Sequence, residues 1–104
     1  MIKHYNLTMD GTIQPLSDVL PVNEGDTLKY VALQAHGGNS NIIYVGSTET
    51  GTLTSSDYGW RIEVPVTSIP SAPDIIELSQ NGFSLNELSV LGTASDVLHI
   101  MVLR

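Results

Sequence analysis

Three histidines are the residues of this 104-residue sequence best suited to acid–base chemistry or metal binding. They are His4, His36 and His99, and no two of them have the spacing of metal ligands on one strand or helix. His99 lies in an apolar segment, where we expect a packed or interface residue. His36 precedes Gly37-Gly38, where we expect a solvated loop. The sequence therefore predicts no metal site and no cofactor.

The carboxylates are dispersed, and they suggest no catalytic arrangement. Asp57 and Glu63 can meet across a hairpin, and paired carboxylates perform glycoside hydrolysis. That chemistry needs a cleft, which so small a chain hardly provides. The segments "DGT" and "NEGD" have oxygen ligands for calcium but lack the alternating pattern of a calcium loop, so turns explain them better. With no cysteine and no Gly-x-Ser-x-Gly motif, the sequence predicts a protein that is not an enzyme.

An aromatic pair suggests a binding surface instead. Tyr58 and Trp60, with Tyr30 or Tyr44, can form a platform on which a sugar ring stacks. Trp60 alternates with Ile62, however, in a strongly patterned strand. The sequence therefore favours a Trp60 that is buried in the core, and leaves the platform as the alternative.

The charge of the chain excludes two classes of partner. Eleven acidic residues against four Lys and Arg give a net charge of −7, which repels nucleic acid and disfavours an anionic membrane surface. The first residues lack the apolar stretch of a secretory signal, and no apolar run is long enough to cross a membrane. We expect no nucleic-acid partner and no membrane partner.

Turn-forming residues recur about every ten residues, from Asp10-Gly11 to Gly92-Thr93. Short apolar runs between evenly spaced turns are typical of an antiparallel sandwich or barrel. The sequence predicts one all-β domain over residues 1–104, with about seven or eight short strands and little or no helix. In the segment "WRIEVPV", Pro65 cannot donate a ladder hydrogen bond, so this strand is predicted either to lie at a sheet edge or to end there.

The final strand is apolar on both faces. Leu98, Ile100 and Val102 share one face, while His99 and Met101 belong to the other. In a two-layer sandwich only one face of a strand packs inward. Leaving the Leu98 face in water would forgo about 1.5–3 kcal/mol for each side chain. Either another element of the same chain or a partner chain covers that face. Because so small a chain has little material to spare for this, we favour a partner chain and predict an oligomer interface formed by Leu98, Ile100 and Val102 together with His99 and Met101.

Two stretches, "GNSNIIYVGST" and "LSVLGTASDVLHIMVLR", resemble small virion proteins of tailed bacteriophages, of the capsid decoration, cement or head-fibre-base type. The middle segment lacks the "L-x-P-G-E" loop of that pattern. The matching positions are Ile43, Tyr44, Val45, Gly46, Val90, Gly92, Thr93, Asp96, Leu98 and Ile100.

The resemblance implies an antiparallel, jelly-roll-like β-sandwich that forms symmetric oligomers, commonly trimers. It further implies synthesis in the host cytoplasm and a place on the capsid exterior, where the protein bridges subunits of the major capsid protein. The alternative is a carbohydrate-binding or adhesin-like module of a phage fibre or tail, which would use Tyr58 and Trp60.

Overall fold

The computed structural model describes residues 2–16, 28–48, 52–64, 75–83 and 87–103, and these residues form eight β-strands. No helix in this described part of the chain has the length and apolar character needed to cross a membrane. The strands are β1 (Ile2–Thr8), β2 (Gln14–Pro15), β3 (Leu28–Ala35), β4 (Ile43–Ser47), β5 (Trp60–Ile62), β6 (Ile75–Phe83), β7 (Leu88–Leu91) and β8 (Val97–Leu103).

The strands form two antiparallel sheets of four. The first sheet has the order β1-β8-β3-β6, and the second sheet has the order β2-β7-β4-β5. The chain therefore pairs β1 with β8, β2 with β7, β3 with β6 and β4 with β5, like one long hairpin folded back on itself. This is the jelly-roll arrangement, and it confirms the predicted all-β sandwich.

The core between the sheets includes the inner residues of β8. Leu98, Ile100 and Val102 are at most 1% exposed, and in the first sheet they lie opposite inner residues of β3 such as Val31 and Leu33. The prediction that a partner chain covers these three residues is wrong, because the sandwich itself covers them. Both faces of β8 are largely apolar, so hydrophobicity gives only a weak indication of which face turns inward.

Strand β5 lies at the edge of the second sheet, as Pro65 indicated, although Pro65 itself is outside the described residues. Its register places Ile62 opposite Ile43 and Trp60 opposite Val45. Ile62 is fully buried, but Trp60 is 59% exposed. The prediction of a core tryptophan is wrong. The alternation correctly placed Trp60 on the same face of β5 as the buried Ile62. Trp60 is the first residue of this edge strand, however, and at that end the opposite sheet no longer covers the face.

The Asp10-Gly11 turn is confirmed. The Asp10 carboxylate accepts hydrogen bonds from the Thr12 amide at 2.8 Å and the Thr12 hydroxyl at 2.6 Å, and these bonds hold the pKa of Asp10 below its usual value. Gly11 has a φ of 86°, a left-handed conformation that favours glycine.

One of the regularly spaced turn signals in the sequence is Asn81-Gly82, and a turn there is wrong, because both residues lie within β6. The ladder is irregular at this point: Leu28 pairs with Phe83, whereas Tyr30 pairs with Ser79. The extra β6 residues form a bulge, which is a common use of glycine inside a strand. The turn predicted at "NEGD" lies outside the described residues.

Candidate functional site

The solvent side of the first sheet includes alternate residues of β1, β8 and β3, and we call this three-strand part the outer face; β6 continues the same side of the sheet beyond β3. Its most exposed apolar side chains are Ile2, at 67%, and Met101, at 48%. Of the predicted interface residues, His99 and Met101 lie on this face, whereas the other three lie in the core. The members of the outer face are Ile2, His4, Asn6, Thr8, Tyr30, Ala32, Gln34, Val97, His99, Met101 and Leu103.

The outer face is unusual in an acidic protein because these members include no Asp, Glu, Lys or Arg. The nearest acidic position in the register is Glu77 of β6, opposite Ala32. A groove of about 410 Å³ runs over the face and is lined by Tyr30, Ala32 and Met101, among others. Such a surface suits contact with another surface that carries little charge.

Two histidines meet at one end of the outer face. The Nδ1 atom of His36 lies 3.0 Å from the Nε2 atom of His99, and the Nδ1 atom of His99 lies 2.6 Å from the Oδ1 atom of Asn6. Because Asn6 Oδ1 is an acceptor, His99 carries its proton on Nδ1 and accepts a hydrogen bond from His36 at Nε2. Burial and the neighbouring His36 lower the pKa of His99. Sequence spacing gave no indication of this pair, which is 63 residues apart.

The loop that carries His36 is fixed to the start of β8. The carboxylate of Asp96, which is 5% exposed, accepts hydrogen bonds from the Ser40 amide at 3.0 Å, the Ser40 hydroxyl at 3.1 Å and the Asn41 amide at 3.1 Å. The side chain of Asn39 donates to the Val97 carbonyl at 2.8 Å and accepts from the Val97 amide at 2.7 Å. This network gives Asp96, a residue of the phage-like pattern, a structural role.

The aromatic pair predicted from the sequence is exposed, but its rings do not form one platform. Tyr58 is 40% exposed, and its ring centroid lies 5.0 Å from that of Tyr44 at an interplanar angle of 46°. Within the described part of the chain, no ring contact joins Tyr58 to Trp60. Beside the tyrosines, Arg61 forms an exposed ion pair with Glu63 at 3.1 Å. The tyrosine pair and Trp60 are therefore separate exposed aromatic groups.

The carboxylates considered for catalysis each have a different partner. Asp57 accepts a hydrogen bond from the Thr52 hydroxyl at 3.0 Å, and Glu63 pairs with Arg61. Among the described residues, no group of three His, Cys, Asp or Glu side chains is placed to hold a metal ion. The geometry therefore offers two surfaces, the outer face and the exposed aromatic groups, and one histidine pair.

Comparison with known proteins adds little. No family model matches the sequence, and no curated protein matches it. Among solved structures, the chain is similar to a chain of the Bacillus endospore appendages, which "form a novel family of disulfide-linked pili". The similarity covers 100% of this chain and 87% of that chain, with 13% identity and a TM-score of 0.44. Similarity at this level identifies neither a family nor a function, and this sequence has no cysteine with which to form a disulfide.

Proposed function

We propose that this protein is a structural subunit without catalytic activity, and that it associates with copies of itself through the outer face. The observation that carries the proposal is the composition of that face, where Ile2 and Met101 are exposed among uncharged neighbours. A chain with a net charge of −7 repels its own copies over most of its surface. The outer face is where two copies can approach with the least repulsion while they bury apolar area.

The specific assembly that we propose is the exterior of a tailed-phage capsid, where symmetric oligomers, trimers by preference, bridge neighbouring capsid subunits. This assembly is what the sequence resemblance suggests. The positions that carry the resemblance lie mainly in β4, β7 and β8 and in the turn before β8. Asp96 holds the β3–β4 loop, and a Cβ atom at Gly92 would lie 2.6 Å from the Cγ atom of Met9. Because these residues stabilise the sandwich, the resemblance supports a shared architecture and leaves the capsid partner to experiment.

The mass of the protein in solution tests self-association. We expect sedimentation equilibrium to give a multiple of the 11.2 kDa chain mass, and Met101→Glu to reduce that mass to a single chain by placing like charges in the contact. Ile13→Glu is the matched control, because Ile13 is 43% exposed and lies beside Pro15 of the second sheet. A single-chain mass for the wild type at high concentration would refute the proposal, as would equal effects of the two variants.

A second candidate is carbohydrate binding through the exposed aromatic groups. The observation that favours it is Trp60, which is 59% exposed where the sequence pattern predicted burial. A groove of about 580 Å³ on the second sheet is lined by Tyr44, Glu63 and Asn41, among others, and these residues combine an aromatic ring with polar groups. Trp60 is the only tryptophan, so intrinsic fluorescence reports on it alone.

A fluorescence titration with a panel of soluble oligosaccharides tests this candidate. We expect a saturable change in Trp60 emission that Met101→Ala, on the other sheet, leaves unchanged. If no oligosaccharide changes the emission, and a glycan array also gives no binding, carbohydrate recognition at these residues is excluded.

A further inference from the structure

The histidine pair has a geometry that goes beyond self-association and beyond carbohydrate binding. We propose that His36 Nδ1 and His99 Nε2 form a two-nitrogen site for a divalent first-row transition metal ion, with Cu²⁺ and Ni²⁺ as the preferred ions. The two nitrogen atoms lie 3.0 Å apart. Neutral imidazole nitrogen is a ligand that these ions favour.

The separation of the two nitrogen atoms determines which ions fit. With metal–nitrogen bonds of about 2.0–2.1 Å, two nitrogens 3.0 Å apart subtend an angle of roughly 95° at the metal. This angle is close to the 90° of neighbouring ligands in a tetragonal or octahedral site, and it is well below the tetrahedral value of about 109°. Tetragonal coordination by nitrogen and oxygen is typical of Cu²⁺ and Ni²⁺, whereas Zn²⁺ prefers a tetrahedron.

His99 already has the tautomer that a metal ligand needs. Its Nδ1 atom donates a hydrogen bond to Asn6 Oδ1 at 2.6 Å, which fixes the tautomer and leaves the lone pair on Nε2 directed toward His36. Metal-binding histidines commonly use their second nitrogen in this way, and loss of that outer partner typically weakens metal binding 10–100-fold. Asn6 therefore acts as the positioning residue of the site.

The backbone of His36 is also fixed. Its amide donates to the Val97 carbonyl at 3.0 Å, and its carbonyl accepts from the Asn39 amide at 3.1 Å. In the metal-free protein the His36 proton lies between the two nitrogens, whereas a metal ion bound to both at roughly 95° lies to one side of the line that joins them, so both rings must turn as the ion binds. The proton on His36 Nδ1 must then move to Nε2 of the same ring, and solvent can carry it because the His36 side chain is exposed. Water completes the coordination.

Calorimetric titration with CuCl₂, NiCl₂ and ZnCl₂ tests the site. We expect one Cu²⁺ ion per chain, with Ni²⁺ bound at least as tightly as Zn²⁺. H36Q and H99Q should weaken Cu²⁺ binding at least tenfold, and N6A should weaken it about 10–100-fold. N6D, which keeps an acceptor oxygen for His99, should retain the affinity. H4Q is the matched control, because it removes the third histidine without changing the pair.

Electron spin-echo spectroscopy of the Cu²⁺ complex of H4Q counts the imidazoles on the metal. Two imidazoles on the metal support the proposal, and circular dichroism confirms that each variant is folded. A spectrum with one imidazole would overturn the proposal. Cu²⁺ affinity that is the same in the H36Q/H99Q double variant as in the wild type would overturn it as well, because binding would then occur elsewhere on the chain.

Discussion

The Asp96 carboxylate joins two loops of the sandwich, and its removal is the sharpest test of this architecture. Asp96→Ala deletes three hydrogen bonds, two from the backbone amides of Ser40 and Asn41 and one from the Ser40 hydroxyl. Hydrogen bonds to a charged group each contribute about 1.5–3 kcal/mol. Because Ser40 and Asn41 are exposed, water replaces part of what is lost. We therefore expect the free energy of unfolding to fall by about 2–3 kcal/mol.

Asp96→Asn should have an intermediate effect. The amide retains one oxygen for Ser40 but turns an NH₂ group toward the Asn41 amide, so we expect a loss of about 1–2 kcal/mol. Asp10→Ala is the control, because Asp10 also accepts an amide and a hydroxyl hydrogen bond but is exposed, so its loss should be much smaller.

Urea denaturation monitored by Trp60 fluorescence and by circular dichroism gives these free energies. For a domain of about 100 residues, the Asp96→Ala loss corresponds to a decrease in Tm of about 10–20 °C. If Asp96→Ala and Asp10→Ala have the same small effect, the buried carboxylate does not hold the loops together, and our account of the network is wrong.

Three further predictions concern packing and backbone conformation, and all three are measured by urea denaturation. Ile100→Ala should lower the free energy of unfolding by about 2–5 kcal/mol, because Ile100 is in the core, and Met101→Ala should lower it by less than about 1 kcal/mol, because Met101 is on the outer face. Equal losses for the two variants would contradict that assignment. Gly92→Ala should cost about 1–3 kcal/mol, because the new Cβ atom meets buried Met9, and the absence of any cost would mean that Met9 moves freely. Gly11→Ala should cost about 1–2 kcal/mol from its φ of 86° alone, since its nearest neighbour would lie 3.8 Å from the new Cβ atom; a neutral result would exclude the left-handed turn.

The all-β class was predictable because turn-forming residues recur about every ten residues and no long segment has the apolar repeat of a helix. The final strand and the "WRIEVPV" strand were both recognised, and Pro65 correctly indicated an edge. These properties depend on local composition and on the two-residue period of a strand, which sequence shows directly.

The orientation of β8 was harder, because a strand with two apolar faces fits either way. One residue did distinguish the faces: His99 is the only strongly polar side chain between Val97 and Leu103, and it lies on the solvent side. The exposure of Trp60 depends on where the opposite sheet ends. The pairing of His36 with His99 depends on the topology. Neither property is encoded in the spacing of nearby residues.

The position of β8 in the first sheet has a consequence for how the protein is made. Strand β8 lies between β1 and β3, and Asn6 and His99 are 93 residues apart in the sequence. During synthesis, β1 has no neighbour in its sheet until residues 97–103 leave the ribosome. Folds with such distant pairings form over milliseconds to seconds. Until then, Leu7, Val31 and Leu33 lack the neighbouring strand β8 that completes their sheet. In this interval the nascent chain is most accessible to chaperones and most prone to aggregation.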